Sequence, residues 1–278
     1  MSLAILSYLD EPNPDLHVIC LQLINTLIPT HWSDIADRLT FIESLAEQHD
    51  FKGKDLAALV AAKIHYELGS LEDAVQYALM ADDLLDLTST DLFTQTIMSE
   101  AIQQWINQCQ MAVEEGATDG DSVELSGNHK HIIDHIFSSS LTRNDDFETT
   151  SKILSMAIEA RSILRISNIL DSVDPSIKQA LLDYTHTMIS YIRSLSFRSN
   201  VLRVLADYHI SHVADLGSAD PDAYFSAAKC ALLLSDASLM SVIIQLAESN
   251  PAVSYQIAVD LAETASPAFI ASLTSRDL

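Results

Sequence analysis

The stretch that most constrains the fold is Leu56 to Leu87, LAALVAAKIHYELGSLEDAVQYALMADDLLDL, because it holds a helix, a stop, a start and a second helix in succession. Leu56, Leu59, Val60, Ile64 and Leu68 recur at helical spacing with alanines between them, which predicts one apolar, closely packable face. Gly69 ends that helix, since glycine alone enters the left-handed stop conformation without steric cost. Ser70 is placed to cap the next helix, and Glu72 and Asp73 occupy its first turn, where carboxylates suit the positive end of the dipole. Leu71, Ala74, Val75, Ala78 and Leu79 make the second stripe. With no spare residue in the turn, the two helices must fold back as an antiparallel hairpin.

The order Tyr66, Leu68, Gly69, Ala74, Tyr77 is close to the helix-pair signature of tetratricopeptide-like repeats, whose pairs bury their second face only by stacking on neighbours. The rest of the chain keeps the same rhythm. Leu3 to Leu9 reads as a short opening helix, stopped by Glu11-Pro12-Asn13-Pro14. Leu16 to Leu27 follows, closed by Pro29, and a third helix runs from about Trp32 or Asp34 through Ile35, Leu39, Ile42 and Leu45 to about Gln48. Thr90 and Asp91 cap a long helix from Leu92 to about Glu115, with Phe93, Ile97, Ala101, Trp105 and Met111 on or near one stripe. The segment from 114 to 128 carries three of the six glycines and reads as a surface loop. From Asp145 the hairpin pattern returns, with acidic residues in a first turn, then Ile153, Leu154, Ala157 and Ile158, then Ile163, Leu164, Ile166, Ile169 and Leu170. Later starts fall at Asp174-Pro175, Ser196, Asp220-Pro221, Asp236, Pro251 and Pro267. Helices thus recur every 15 to 20 residues or so, as in stacked helix pairs. Sheet signals are missing, because Val, Ile and Thr do not alternate in runs. The expected fold class is all-α: an α-solenoid rod of stacked antiparallel helix pairs across residues 1–278.

Composition bounds the function. With 48% hydrophobic and 19% charged residues the chain folds around a substantial core. Fifteen basic residues against 39 acidic ones give a net charge of -24, which repels nucleic-acid phosphates and anionic membranes and leaves a basic protein as the electrostatically favoured partner. No run approaches the roughly 20 apolar residues of a membrane helix, and MSLAILSYLDEP is too quickly acidic for a signal peptide. Cys20, Cys109 and Cys230 are an odd count, far apart and inside apolar stretches, so they read as small buried hydrophobes of a reducing compartment, cytosolic or nuclear.

Candidate chemistry is thin. Asp119 and Asp121 lack the ligand spacing and closing Glu of a calcium loop. His131 and His135, one turn apart with Asp134 between them, lack the general-base Glu of a zinc-protease helix and an evident third ligand. Asp82 with Asp83, and Asp145 with Asp146, sit where helix ends favour carboxylates. Arg193, Arg198 and Arg203 form the one basic cluster and are expected to pair with local carboxylates. No phosphate cradle, nucleophile elbow or dinucleotide fingerprint is present. The expectation is no catalytic, cofactor or metal site, and binding residues that the sequence leaves unassigned.

Specific words of the sequence resemble the N-terminal part of the larger of the two non-ATPase organising subunits, those with proteasome/cyclosome repeats, in the base of the 26S proteasome regulatory particle. The matching residues are Ala57, Ala58, Leu59, Val60, Ala61, Lys63, Tyr66, Leu68, Gly69, Ala78 and Leu79, with Asp83 and Leu84. SYLDE at Ser7 to Glu11, Ala157 to Arg161, the Phe197, Arg198, Val201, Leu202, Arg203 set and YQIAVDL at Tyr255 to Leu261 keep the family order. The segments 117–131 and 211–218 diverge. The resemblance implies an N-terminal scaffold piece that touches helical-repeat lid subunits in ubiquitin-dependent degradation, without the family's central toroid and C-terminal tail. Two rivals stand beside it: a generic helical-repeat adaptor with a concave, polar peptide groove, and a hydrolase using His131 or His135 with a metal.

Overall fold

Three helix-to-helix turns built in the same way organise the computed structural model, which describes residues 5–141, 146–216 and 221–274. In each, one residue stands in the left-handed region: Gly69 at φ 81°, Arg161 at φ 55° and Ser235 at φ 53°. Their N–H groups donate to the carbonyls of Tyr66, Ile158 and Leu232, all at 3.0 Å. The following N–H groups, of Ser70, Ser162 and Asp236, reach back to His65, Ala157 and Ala231, again at 3.0 Å. This pairing satisfies the last carbonyls of one helix and turns the chain at once into the next. The expected hairpin at Gly69 is therefore one of three, and two of them stop on residues that carry a Cβ.

The described residues form fourteen α-helices and no strand. They fall into two compact units. The first comprises Met1–Met111 and Val123–Thr142 and contains α1 (Pro14–Ala36), α2 (Leu39–Glu47), α3 (Lys54–Leu68), α4 (Leu71–Met80), most of α5 (Leu92–Glu114) and α6 (Gly127–Leu141). Helix α3 is its axis, and α1, α2 and α4 all pack against it. Ala57, Ala58, Ala61 and Ala62 are fully buried, because side chains this small let neighbours approach on several sides at once. Buried polar groups knit the hairpin to α2. His65 Nε2 lies 2.8 Å from Glu43 Oε1, and its ring stacks on Tyr77 at 5.3 Å between centroids. Burial first, then the carboxylates of Glu43, Glu47 and Asp73, push the Tyr77 hydroxyl up to about 12.

Several expectations need correction in this unit. The opening segment is a 3-10 turn, Ser7–Asp10, and Leu3 lies outside the described residues. Arg38 ties that turn to the start of α2 through two hydrogen bonds to Asp10, at 2.9 and 3.0 Å. The helical run from Pro14 to Ala36 leaves helical geometry at His31, φ -134°, two residues past Pro29, so the expected break before Trp32 stands. The third helix, expected to run on to about Gln48, is interrupted at Asp37 and Arg38. Ser70 stands at the start of α4 but makes no side-chain cap, while its carbonyl accepts from Ala74. Leu68 and Met111, placed on apolar stripes by spacing, are 46% and 60% exposed. The Asp91 cap is confirmed by a 2.8 Å hydrogen bond from Thr94 N–H, and Asn13 caps α1 through Asp15 N–H.

The second unit comprises Ala112–Ser122 and Arg143–Leu278 and holds α7 (Phe147–Glu159), α8 (Ile163–Ser172), α9 (Pro175–Ile189), α10 (Leu195–Leu216), α11 (Pro221–Leu234), α12 (Ala237–Ala247), α13 (Pro251–Thr264) and α14 (Pro267–Thr274). Asp146, Ser162, Asp174, Asp236 and Asn250 each accept a backbone N–H at a helix start, as helix entry favours. Asp145 and Asp220, read as helix starts, lie outside the described residues. Leu164 belongs to no apolar face, being 61% exposed. Helix α10 begins one residue before Ser196, where Ser194 Oγ accepts from Phe197 N–H. The far end of the unit closes on a core that includes Tyr224, Ala231, Met240, Ile243, Val253 and Phe269.

Candidate interaction surface

The residues singled out for chemistry separate into those used inside the fold and those left on its surface. All three cysteines are buried. Burial pushes the Cys20 thiol up to about 11 and the Cys230 thiol to about 12, so neither is a ready thiolate. Asp121 is a structural cap: its carboxylate accepts from Ser162 Oγ and from Leu164 N–H at 2.8 Å, across more than forty residues. Its neighbour Asp119 accepts from Asp121 N–H at 3.2 Å, and Gly120 N–H donates to Arg161 C=O at 2.8 Å. The glycine-rich segment thus fastens the α7–α8 turn, with Gly120 buried. Arg193, Arg198 and Arg203 do not pair as expected, since none forms an ion pair among the described residues.

Two sets treated separately in the sequence meet in the first unit. Asp82 and Asp83, just beyond α4, and His131 and His135, on α6, line one groove of about 530 Å³. Leu79, Leu85 and Ile132 are among its apolar lining, and Asp86 adds a third carboxylate. Asp82 takes a left-handed φ of 48°, which helps turn the chain out of α4. The Asp86 carboxyl is held below the ordinary carboxylate range by Thr88, whose hydroxyl and backbone N–H donate to it at 2.6 and 2.9 Å. One wall is pinned by Asn128 Nδ2, which donates to Leu79 C=O at 2.6 Å. Sequence reasoning missed Asp86 and Asn128. The Asp-x-Thr spacing was a visible signal for the first, whereas the second depends on a contact between residues 49 apart.

The arrangement can hold a cation-bearing side chain over an apolar floor. Among the described residues no group of three or more His, Cys, Asp or Glu is placed to hold a metal ion. A second histidine pair, in the other unit, shares a proton instead. His186 Nε2 and His209 Nε2 are 3.3 Å apart, the rings are within 20° of parallel and their centroids are 5.6 Å apart. The centroid distance exceeds the nitrogen distance by two ring radii, so the nitrogens point head-on at each other. Half of 3.3 Å is shorter than the roughly 2.0 Å of a zinc–imidazole bond. No helix among the described residues is long and apolar enough to cross a membrane.

Comparison with known proteins follows the whole chain. The family model for the N-terminal domain of the 26S proteasome subunit RPN2 matches residues 2–277. The 26S proteasome non-ATPase regulatory subunit 1 of Drosophila melanogaster is 31% identical over 282 residues, covering 97% of this chain and 25% of the fly protein. The 26S proteasome regulatory subunit RPN2 of Eremothecium gossypii is 28% identical over 275 residues, covering 98% of this chain and 28% of that protein. RPN2 of Saccharomyces cerevisiae is 28% identical over 275 residues, with 94% and 27% covered. The chain spans about a quarter of the length of these curated relatives. A match that runs from residue 2 to residue 277 over an all-helical fold leaves one conclusion: the chain belongs to the family of RPN2 N-terminal domains.

Proposed function

We propose that the chain is a non-catalytic scaffold of the 26S proteasome regulatory particle, acting as a single helical-repeat domain across residues 1–278 and making protein–protein contacts with helical-repeat subunits of the lid. The observation that carries this reading is the family match along the whole chain. The relatives are named as regulatory and non-ATPase proteasome subunits, which supports a structural role in ubiquitin-dependent degradation. The fold is compatible with it: helix pairs that supply one another's core leave their outer faces for partners. The reading assigns no catalytic, cofactor or metal role, no nucleic-acid, membrane or small-molecule ligand, and a place in cytoplasm and nucleus, where proteasomal substrates reside. Immobilised chain offered purified lid should retain it stoichiometrically. Passage of intact lid without retention, while a longer family member retains it, would overturn the assignment of this role to these residues.

A further inference from the structure

A second groove of the first unit has a different chemistry. Its cavity of about 690 Å³ lies between α4, α5 and the start of α6, and three of its lining residues are glutamines: Gln76, Gln104 and Gln108. Carboxylates of Glu72 and Glu124 also line it. Gln104 Nε2 is buried there with no hydrogen-bond partner. An amide donor left unpaired in a protein interior is unfavourable and rare. Gln104 is itself a lining residue of the groove, and the terminal torsion of glutamine is soft.

We propose that this groove binds an extended, basic segment of a partner protein through its main chain. A glutamine amide offers one acceptor and two donors, which matches the carbonyl and N–H of a peptide backbone. Gln104 and Gln108 are one turn apart on α5, a rise of about 6 Å. An extended strand repeats every two residues at about 6.7 Å, so the two amides meet alternate residues of one bound segment. Glu72 and Gln76 repeat that spacing on α4, across the groove. The carboxylates select Lys or Arg in the intervening side chains, in keeping with a chain of net charge -24. This inference does not rest on the lid-scaffold role, since any partner with such a segment fits.

The test uses the whole chain and a labelled, unstructured octapeptide of alternating Lys and Thr, followed by fluorescence anisotropy. Saturable binding is expected, weakened about tenfold or more by Gln104→Leu or by Gln108→Ala, and weakened similarly when alternate backbone nitrogens of the peptide are methylated. Gln104→Leu also removes an unpaired polar group, so its melting temperature should equal or exceed that of the parent. Absence of binding, indifference to both glutamine substitutions, or binding that survives backbone methylation would overturn the proposal. So would a Gln104→Leu chain that melts earlier, because the amide would then be paired within the fold.

Discussion

At single residues, the three hairpin turns give the sharpest consequences. Arg161 and Ser235 hold left-handed conformations that an L side chain occupies at a cost of about 1–2 kcal/mol. Replacing either with glycine removes that strain, and Arg161→Gly or Ser235→Gly should raise stability by about 1 kcal/mol, read as a higher urea midpoint at unchanged slope. Gly69→Ala should do the reverse by a similar amount, because nothing within 4 Å of a new Cβ can compensate for φ 81°. Gly69 was legible in the sequence because glycine advertises its backbone. Arg161 and Ser235 were not, because their conformation is imposed by the helices on either side. The histidine pair adds a pH effect. Burial, and then the charge of Lys229, hold His186 below its ordinary value, while Asp183 opposes them. Above the unfolded pKa near 6.5 neither state is protonated and stability is level. As pH falls through that value the unfolded chain binds the proton first, and stability declines until pH passes the lower folded value. His186→Gln should flatten the decline between about pH 7 and 5, measured as melting temperature against pH beside the parent.

Elements were read well where their ends are local and poorly where they are not. Asn13, Asp91, Asp174 and Asp236 announce helix starts because each caps an N–H two or three residues ahead. The start of α8 takes its second acceptor, Asp121, from a segment read as a plain surface loop. Asp121→Ala should therefore destabilise the α7–α8 hairpin by about 1–2 kcal/mol, the range of a lost cap, whereas Thr118→Ala, in the same exposed segment, should change little. Urea unfolding of the two variants checks this, and millimolar calcium should leave the parent's midpoint where it was. Pro29 is a local breaker that the fold obeys: the backbone leaves helical geometry at His31, two residues on, between the buried Ile28 and Ile35. The interruption at Asp37 and Arg38 carries neither proline nor glycine, so the sequence showed no sign of it.

For the molecule as a whole, net charge sets which kind of partner surface is favoured. A net charge of -24 with only fifteen basic residues gives a long-range field that draws in basic surfaces and repels acidic ones. The composition made that field plain and DDLLD at 82–86 already groups three carboxylates, but only the fold sets them beside His131 and His135 in the lining of one groove. If that groove faces a lid subunit, its charges lie at a solvated rim and act mainly on the encounter rate. The variant carrying Asp82→Asn, Asp83→Asn and Asp86→Asn keeps the backbone intact, because asparagine accepts the left-handed φ of position 82 and the Thr88 hydrogen bonds of position 86. Its association rate with immobilised lid should fall severalfold at about 0.05 M salt and converge on the parent's at about 0.5 M, where screening shortens to a few ångströms. Its dissociation rate and melting temperature should stay within error of the parent's. Surface-binding kinetics at the two salt concentrations separate the outcomes: equal association rates at low salt would remove the groove from the encounter, while a faster dissociation would move it from the rim to the buried centre of the contact.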